Sequence, residues 1–203
     1  MHVVVIADAL SKKEFEAKPS NAHAIDYRER LSDVPQNADA VFILLPESKT
    51  SQGVPSFSSG TTVFINAVTG TLDHYKDQFV RINAWPGFLG RDVLEVAAPA
   101  EKVGQAEAVL TALGWNFVVV PDTPGMIAAR IVASVINEAY FALGEEVSSR
   151  EEIDQAMRLG TNYPFGPFEW ARKIGLINIY NLLQVLASDN PAYEPAPALI
   201  KEI

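Results

Sequence analysis

Short apolar runs alternate with polar or helical segments from Met1 to about Pro121. Continuous apolar runs such as Val41–Leu45 suit strands covered on both faces, as in parallel sheets with helices on either side. The runs that predict strands are Val3–Ala7, Ala38–Leu45, Thr61–Ile65, Phe79–Asn83, Val93–Ala97 and Asn116–Val120. Between the last two runs, apolar residues at helical spacing predict a helix over Pro99–Leu113, which Gly114 ends.

The hydrophobic pattern changes after Pro121, where no strand is predicted and apolar residues recur every three or four positions. Thr123 is predicted to cap a long helix whose first position is Pro124, since the missing N–H of a proline costs nothing there. Further helices are predicted to follow a capped start at Ser148–Glu152 and to run over Pro167–Lys173 and Ile177–Leu186. The pattern therefore predicts an α/β domain over residues 1–121 and an all-helical domain over residues 122–203.

Composition and charge narrow the class of protein. The 203 residues are 48% hydrophobic and 20% charged, which is the balance of a globular protein. The absence of cysteine excludes disulfides and thiolate catalysis, and the three scattered histidines show no metal-ligand spacing. A net charge of -9 argues against binding to nucleic acid or to an anionic membrane. No apolar run is long enough for a membrane span and no leader is recognised, so a cytoplasmic protein is expected.

The last third of the chain carries several short motifs in a fixed order. They are Asp122-Thr123-Pro124-Gly125-x-Ile127 with Arg130, Asn137-Glu138-Ala139, Ile153-Asp154-x-Ala156-Met157-x-x-Gly160, Tyr163-Pro164-x-Gly166-Pro167-Phe168-Glu169 and Gly175-Leu176. Together they resemble the helical C-terminal domain of the 3-hydroxyacyl-CoA dehydrogenase family, which is of the 6-phosphogluconate dehydrogenase-like kind. The resemblance implies a shortened Rossmann-like domain in front of it and a role in fatty acid metabolism.

The turn after the first strand bears on cofactor binding. The resembled family binds NAD at a Gly-x-Gly-x-x-Gly turn, where backbone N–H groups approach the pyrophosphate. Here the turn is Ile6–Ser11, which has no glycine and places the Asp8 carboxylate beside the phosphates. Asp26 has the spacing of the family's ribose-binding acid, although a surface carboxylate is the simpler interpretation. We therefore predict a degenerate NAD site, no cofactor-binding residues and no bound cofactor.

The resemblance also places the family's catalytic positions on residues of different chemistry. The family removes the 3-hydroxyl proton of its substrate with a histidine that a glutamate orients. The alignment retains this glutamate as Glu95 and puts Asn83 where the histidine belongs, and a carboxamide cannot act as a general base. The family's substrate-binding asparagine corresponds to Ala129, and its catalytic serine region to Val68–Thr71. His74 is open as a substitute base, although a solvated histidine at a helix start is the simpler interpretation.

These observations leave more than one function open. The first hypothesis is a homodimer without normal NAD-dependent dehydrogenase activity that binds a small acyl or acyl-CoA-like ligand. One alternative is an active NAD-linked 3-hydroxyacyl-CoA oxidoreductase that uses altered groups such as Glu95 and His74. Another is a structural dimerisation partner. The homodimer is expected because the helical domain dimerises in the resembled family, and because the long helix is apolar on more than one face, at Ile127, Ile131, Val132, Val135 and Ile136.

Overall fold

The computed structural model describes residues 1–21, 23–35, 37–50, 53–75 and 78–203 of the chain. It consists of two compact units, Met1–Met126 and Ile127–Ile203, which we call the first and the second unit. The first unit is an α/β structure built on one sheet, and the second unit is helical. The predicted fold class, a Rossmann-like sheet domain followed by an all-helical domain, is therefore confirmed.

The segment from Asp122 to Met126 stays with the first unit, whereas the sequence pattern assigned it to the helical domain. The Asp122 carboxylate accepts a hydrogen bond from the Leu72 N–H at 2.9 Å. The Gly125 N–H donates to the Val68 carbonyl at 2.7 Å. These bonds attach the segment to the loop that follows the fourth strand, so the chain leaves the first unit later than Pro121.

In the described residues of the first unit, a seven-stranded sheet forms the centre. Its strands are β1 His2–Ile6, β2 Ala24–Arg28, β3 Ala40–Ile43, β4 Thr62–Asn66, β5 Val80–Ile82, β6 Val93–Ala97 and β7 Asn116–Val119. They lie in the order β2-β1-β3-β4-β5-β6-β7, and every neighbouring pair is parallel except β5 and β6. The sequence pattern missed β2, because this edge strand is largely half-buried or exposed and lacks a continuous apolar run.

The order of the strands reverses at one point of the sheet, between β1 and β3. From β1 the chain moves outward to β2 and then crosses back to β3 on the other side of β1. In open α/β sheets, ligands bind beyond the carboxyl ends of the strands where the order reverses in this way. Here that point lies between Ala7 and Asp8, which follow β1, and Leu44–Glu47, which follow β3. We call this side of the sheet the carboxyl edge.

Apolar side chains on both faces of the sheet form the core of the first unit. Helices α1 (Ala9–Glu16) and α3 (Ala100–Leu113) supply Phe15, Leu110 and Leu113 to one of these clusters. The opposite cluster contains Ile6, Ile43 and Ile65, and partly buried loop residues such as Phe57 pack against it. The short helix α2 covers Glu47–Thr50. Helix α3 ends at Gly114, as predicted, with a left-handed φ of 79°.

The second unit consists of helices α4 Ala128–Gly144, α5 Arg150–Thr161, α6 Pro167–Ile174, α7 Leu176–Asp189 and α8 Pro197–Ile200. The predicted capped start of α5 is confirmed as a capping box between Ser149 and Glu152. The prediction that α4 begins at Pro124 is wrong. Gly125 and Met126 both have positive φ, so the chain makes a turn there before it becomes helical. No helix in the described part of the chain is both long and apolar enough to cross a membrane.

Candidate functional site

The turn between β1 and α1 is closed by a carboxylate of the chain itself. Asp8 is the N-cap of α1, and its Oδ1 accepts a hydrogen bond from the Ser11 N–H at 2.8 Å. The N-terminal turn of a helix has unpaired N–H groups and a partial positive charge, which attract an anion. In this protein the Asp8 carboxylate is the anion at that helix N-terminus. Other doubly wound sheets hold a dinucleotide phosphate at this position.

Other hydrogen bonds join this turn to the two strands beside it. The Ala7 N–H donates to the Arg28 carbonyl at 3.2 Å, which continues the pairing of β1 and β2. The Ser11 hydroxyl donates to the Leu44 carbonyl at 3.4 Å, across the point where the strand order reverses. Asp26, which has the spacing of the family's ribose-binding acid, lies in β2 and forms an ion pair with Arg28 at 2.6 Å.

Asn83 and Glu95 are brought together at the carboxyl edge. The antiparallel pairing of β5 and β6 includes Ile82 and Val96, and next to this pair the Asn83 Nδ2 donates to the Glu95 Oε2 at 3.4 Å. The Asn83 Oδ1 accepts a hydrogen bond from the Trp85 N–H at 3.4 Å. The carboxamide is buried, and both of its ends are engaged. A carboxamide does not take up a proton near neutral pH, so Asn83 cannot replace a histidine base.

A second carboxylate of the chain occupies the loop after β4. Glu47 Oε1 accepts hydrogen bonds from the Val68 N–H at 2.6 Å and the Thr69 N–H at 3.0 Å. Its Oε2 accepts from the Thr69 N–H at 3.1 Å and the Gly70 N–H at 3.4 Å. Three consecutive N–H groups that converge in this way form an anion-binding nest. The pKa of the Tyr75 hydroxyl is raised above its usual value. Burial is the larger cause, and the negative charge of the Glu47 carboxylate is the second.

The same loop is held from its other side by a fully buried arginine. Arg81, in β5, forms an ion pair with Asp122. Its guanidinium also donates to the carbonyl oxygens of Ala67 at 2.9 Å, Val68 at 3.4 Å and Thr123 at 3.5 Å. A buried guanidinium needs such partners, since an unpaired charge in the interior is very costly. The loop that the resemblance aligns with the family's catalytic serine is thus fixed on both sides.

The remaining candidate positions have ordinary structural roles. His74 lies in a short 3-10 helix over Leu72–Tyr75, and its Nδ1 accepts from the Thr71 N–H at 3.2 Å. The His74 side chain is exposed, as the simpler interpretation expected, and its contact with Thr71 caps a turn of the main chain. Ala129 is fully buried in the first turn of α4. No group of three or more histidine, aspartate or glutamate side chains in the described residues is arranged to hold a metal ion.

Glu47 and Arg81 were missed by the sequence analysis. Arg81 carries a weak signal, because it interrupts the apolar run of a predicted buried strand and must therefore find a partner inside the protein. The partner, Asp122, is distant in sequence and cannot be identified from spacing. Glu47 follows a buried strand at the position expected for a ligand-binding loop, but only the structure shows that its carboxylate turns back onto the chain.

Comparison with known proteins supports the resemblance seen in the motifs. The family model for the 3-hydroxyacyl-CoA dehydrogenase C-terminal domain matches residues 125–202. The 3-hydroxyadipyl-CoA dehydrogenase of Escherichia coli K12 is 32% identical to this chain over 158 residues, which are 78% of this chain and 30% of that protein. This chain belongs to the 3-hydroxyacyl-CoA dehydrogenase family. It spans about a third of the length of the curated relatives that it matches first.

Two further members extend the comparison. The probable 3-hydroxybutyryl-CoA dehydrogenase of Bacillus subtilis is 38% identical over 112 residues, which are 54% of this chain and 36% of that protein. The crystal structure of (S)-3-hydroxybutyryl-CoA dehydrogenase from Ralstonia eutropha superimposes with a TM-score of 0.67 at 25% identity. That match covers 87% of this chain and 69% of the crystal structure. The likeness therefore includes the sheet as well as the helical unit.

The residues of the β1–α1 turn do not fit the NAD that the 3-hydroxyacyl-CoA dehydrogenase family binds. A pyrophosphate at the N-terminus of α1 would meet the Asp8 carboxylate, which carries the same sign of charge. Every residue from Ile6 to Ser11 also has a Cβ atom where the family has three glycines. The carboxyl edge of this protein is therefore built to satisfy its own backbone donors.

Proposed function

We propose that this member of the 3-hydroxyacyl-CoA dehydrogenase family lacks normal NAD-dependent dehydrogenase activity. On this proposal it is a cytoplasmic homodimer that binds a small acyl or acyl-CoA-like ligand in fatty acid metabolism. The observation that carries the loss of activity is the hydrogen bond of 2.8 Å from the Ser11 N–H to the Asp8 carboxylate. This contact fills the anion site at the start of α1 with a group that repels phosphate.

The Asn83–Glu95 pair supports the same proposal. Removing a hydroxyl proton during hydride transfer requires a base that can accept it, and general acid–base catalysis contributes about 10²–10⁴-fold to a rate. The Asn83 carboxamide donates to Glu95 and accepts from Trp85, so its position is fixed and it accepts no proton. Loss of both the cofactor site and the base removes the two halves of the family reaction.

The proposed ligand class is based on the relatives. The proteins that resemble this chain carry names that refer to 3-hydroxyadipyl-CoA and 3-hydroxybutyryl-CoA. The helical domain that the family model matches is also the part of this chain with the densest set of family motifs. An acyl or acyl-CoA-like ligand is therefore the class to test first, and binding without turnover is the expected behaviour.

An assay of NADH formation tests the proposed loss of dehydrogenase activity. We expect no NADH to form when the protein is incubated at neutral pH with NAD and (S)-3-hydroxybutyryl-CoA. The Ralstonia eutropha enzyme, assayed in parallel, serves as the positive control. Butyryl-CoA is expected to raise the melting temperature of the protein, because a ligand that binds only the folded state stabilises it. A turnover of about 10 per second would contradict the proposal.

The homodimer is supported by an apolar surface on the second unit. Helix α5 turns its polar side toward α6, where Asp154 accepts from the Phe168 N–H at 2.7 Å and Arg158 pairs with Glu169 at 3.1 Å. The opposite side of α5 carries Ala156, Leu159 and Gly160, which are exposed, and Ile153 and Met157 lie on its flank and are half-buried. Ile127 and Ile131, at and near the start of α4, are each about half exposed. An apolar helix side left uncovered suits burial against a second copy.

Light scattering coupled to gel filtration tests the homodimer at micromolar concentration. The wild-type protein is expected to elute with twice the mass of the chain. Leu159→Glu, which puts a charge on the exposed side of α5, is expected to give a monomer, since a buried unpaired charge strongly opposes association. Val93→Glu is the matched control on the first unit, where an exposed valine is changed in the same way. A monomeric wild-type protein, or a dimer unaffected by Leu159→Glu, would contradict this interface.

A further inference from the structure

A cavity lies at the side of the sheet opposite to the carboxyl edge, where β4 and β5 begin. Its volume is about 320 Å³, and its lining includes Val63 of β4, Phe79 before β5, and Phe57 from the preceding loop. Val63 and Phe79 are buried, so they form an apolar floor. Phe57 also lines a neighbouring cavity of about 100 Å³. We call the larger cavity the amino-edge pocket.

The rim of the amino-edge pocket is polar and carries a positive charge. Ser56 and Ser59 contribute hydroxyl groups, and Lys102, in the first turn of α3, contributes an ammonium group. In the part of the chain that the structure describes, the Lys102 ammonium has no carboxylate within ion-pair distance. The first turn of α3 also has no side chain that caps its N–H groups. Glu101 in the same turn carries a negative charge, so the positive charge at the rim is that of the Lys102 ammonium.

We propose that the amino-edge pocket binds a small carboxylic acid with an apolar chain. The carboxylate pairs with Lys102 and the rim hydroxyls, and the chain lies against Val63, Phe57 and Phe79. A volume of about 320 Å³ is at the lower end of the range for ligand pockets, which limits the ligand to a short acid. This site is remote from the candidate site at the carboxyl edge and does not depend on the function proposed for it.

Phe57 sets the length of the acid that fits. Four residues line both cavities, namely Ser56, Phe57, Ser58 and Thr61, and Phe57 is the large apolar one among them. Replacing Phe57 by alanine removes a half-buried aromatic ring, and we expect this to join the neighbouring cavity of about 100 Å³ to the pocket. A longer apolar chain then gains contact surface that the wild-type pocket does not offer.

Calorimetric titration of the full chain with free acids, in the absence of coenzyme A, tests the proposal. Hexanoate is expected to bind the wild-type protein, whereas hexan-1-ol and hexylamine bind at least tenfold more weakly because they lack the carboxylate. Lys102→Met is expected to weaken hexanoate binding about tenfold, as the loss of one charge-assisted contact predicts. Lys49→Met, which removes an exposed ammonium outside the pocket, is the matched control.

Phe57→Ala provides a second readout that does not depend on charge. It is expected to shift the preference from hexanoate to decanoate while thermal unfolding shows that the variant is folded. The proposal is overturned if wild-type protein binds no free acid, if Lys102→Met binds hexanoate as tightly as Lys49→Met, or if Phe57→Ala keeps the wild-type chain-length preference. None of these outcomes involves NAD or acyl-CoA, so the result is separate from the test of dehydrogenase activity.

Discussion

Asp8 stabilises the start of α1 and also determines the charge at the carboxyl edge. Its carboxylate satisfies the Ser11 N–H and at the same time places a negative charge where a phosphate would have to approach. Serine, threonine, asparagine and aspartate are the residues that serve best at such an N-cap, whereas glycine turns leave the donors free for a ligand. The Asp8 carboxylate thus makes, within the chain, the contact that a bound phosphate would make with the N-terminus of α1.

Substitution of Asp8 measures this cap. Asp8→Ala is expected to lower the free energy of unfolding by about 1 kcal/mol, because the Ser11 N–H loses its partner. Asp8→Asn is the matched control, since asparagine caps about as well as aspartate and its stability is expected to stay near the wild-type value. Urea denaturation followed by circular dichroism gives both values. Equal stability of wild type and Asp8→Ala would show that the carboxylate does not cap α1.

The sequence predicted the chemistry of single residues only where a motif could align them. Asn83 and Glu95 were paired by their spacing in the family pattern, and the structure contains a hydrogen bond between them at 3.4 Å. Glu47 and Arg81 belong to no motif, and their partners come from other strands and loops. Such contacts depend on the three-dimensional path of the chain, which local pattern does not contain.

At the scale of elements, the junction of α5 and α6 depends on close packing at a glycine. Gly166 is the N-cap of α6, and a Cβ atom placed on it would overlap the carboxylate of Asp154. Asp154 is buried and accepts a hydrogen bond from the Phe168 N–H at 2.7 Å, so it cannot move away without losing that contact. The glycine is required here by space, not by a positive φ.

Two glycine substitutions test this junction. Gly166→Ala is expected to lower the free energy of unfolding by about 1–3 kcal/mol, the usual cost of overpacking in an interior. Gly104→Ala is the control, because Gly104 lies within α3 and a Cβ there meets nothing within 4 Å. It is expected to stabilise the protein by about 0.5–1 kcal/mol. If the Gly166→Ala protein is as stable as wild type in thermal unfolding, Asp154 can move away from the added Cβ atom at no cost, which would contradict this account.

Elements with a strong period were predicted well, and elements fixed by tertiary contacts were not. The helix α3 and the six predicted strands were found close to their expected positions, because the strands are mostly apolar runs and α3 has apolar residues at helical spacing. Strand β2 has no such pattern, since it lies at the edge of the sheet. The start of α4 was predicted too early, because the Gly125 N–H bonds to the Val68 carbonyl and the chain turns before it becomes helical.

At the scale of the whole molecule, the two units resemble the family to different degrees. The helical unit keeps the motifs and the match to the family model, whereas the sheet unit keeps the fold and has different groups at the carboxyl edge. Asp8 and Glu47 both bring their carboxylates onto backbone donors at that edge. The sheet unit therefore has the fold of the family, whereas the Asp8 cap of its β1–α1 turn differs from the glycine turn at which the family binds NAD.

Calorimetric titration of the wild-type protein with NADH tests this account most directly. NADH carries the same pyrophosphate as NAD and must use the turn after β1 if it binds in the manner of the family. We predict no saturable heat of binding at NADH concentrations up to the millimolar range, with the Ralstonia eutropha dehydrogenase as the positive control in the same cell. Saturable binding of one NADH per chain in the micromolar range would contradict the account.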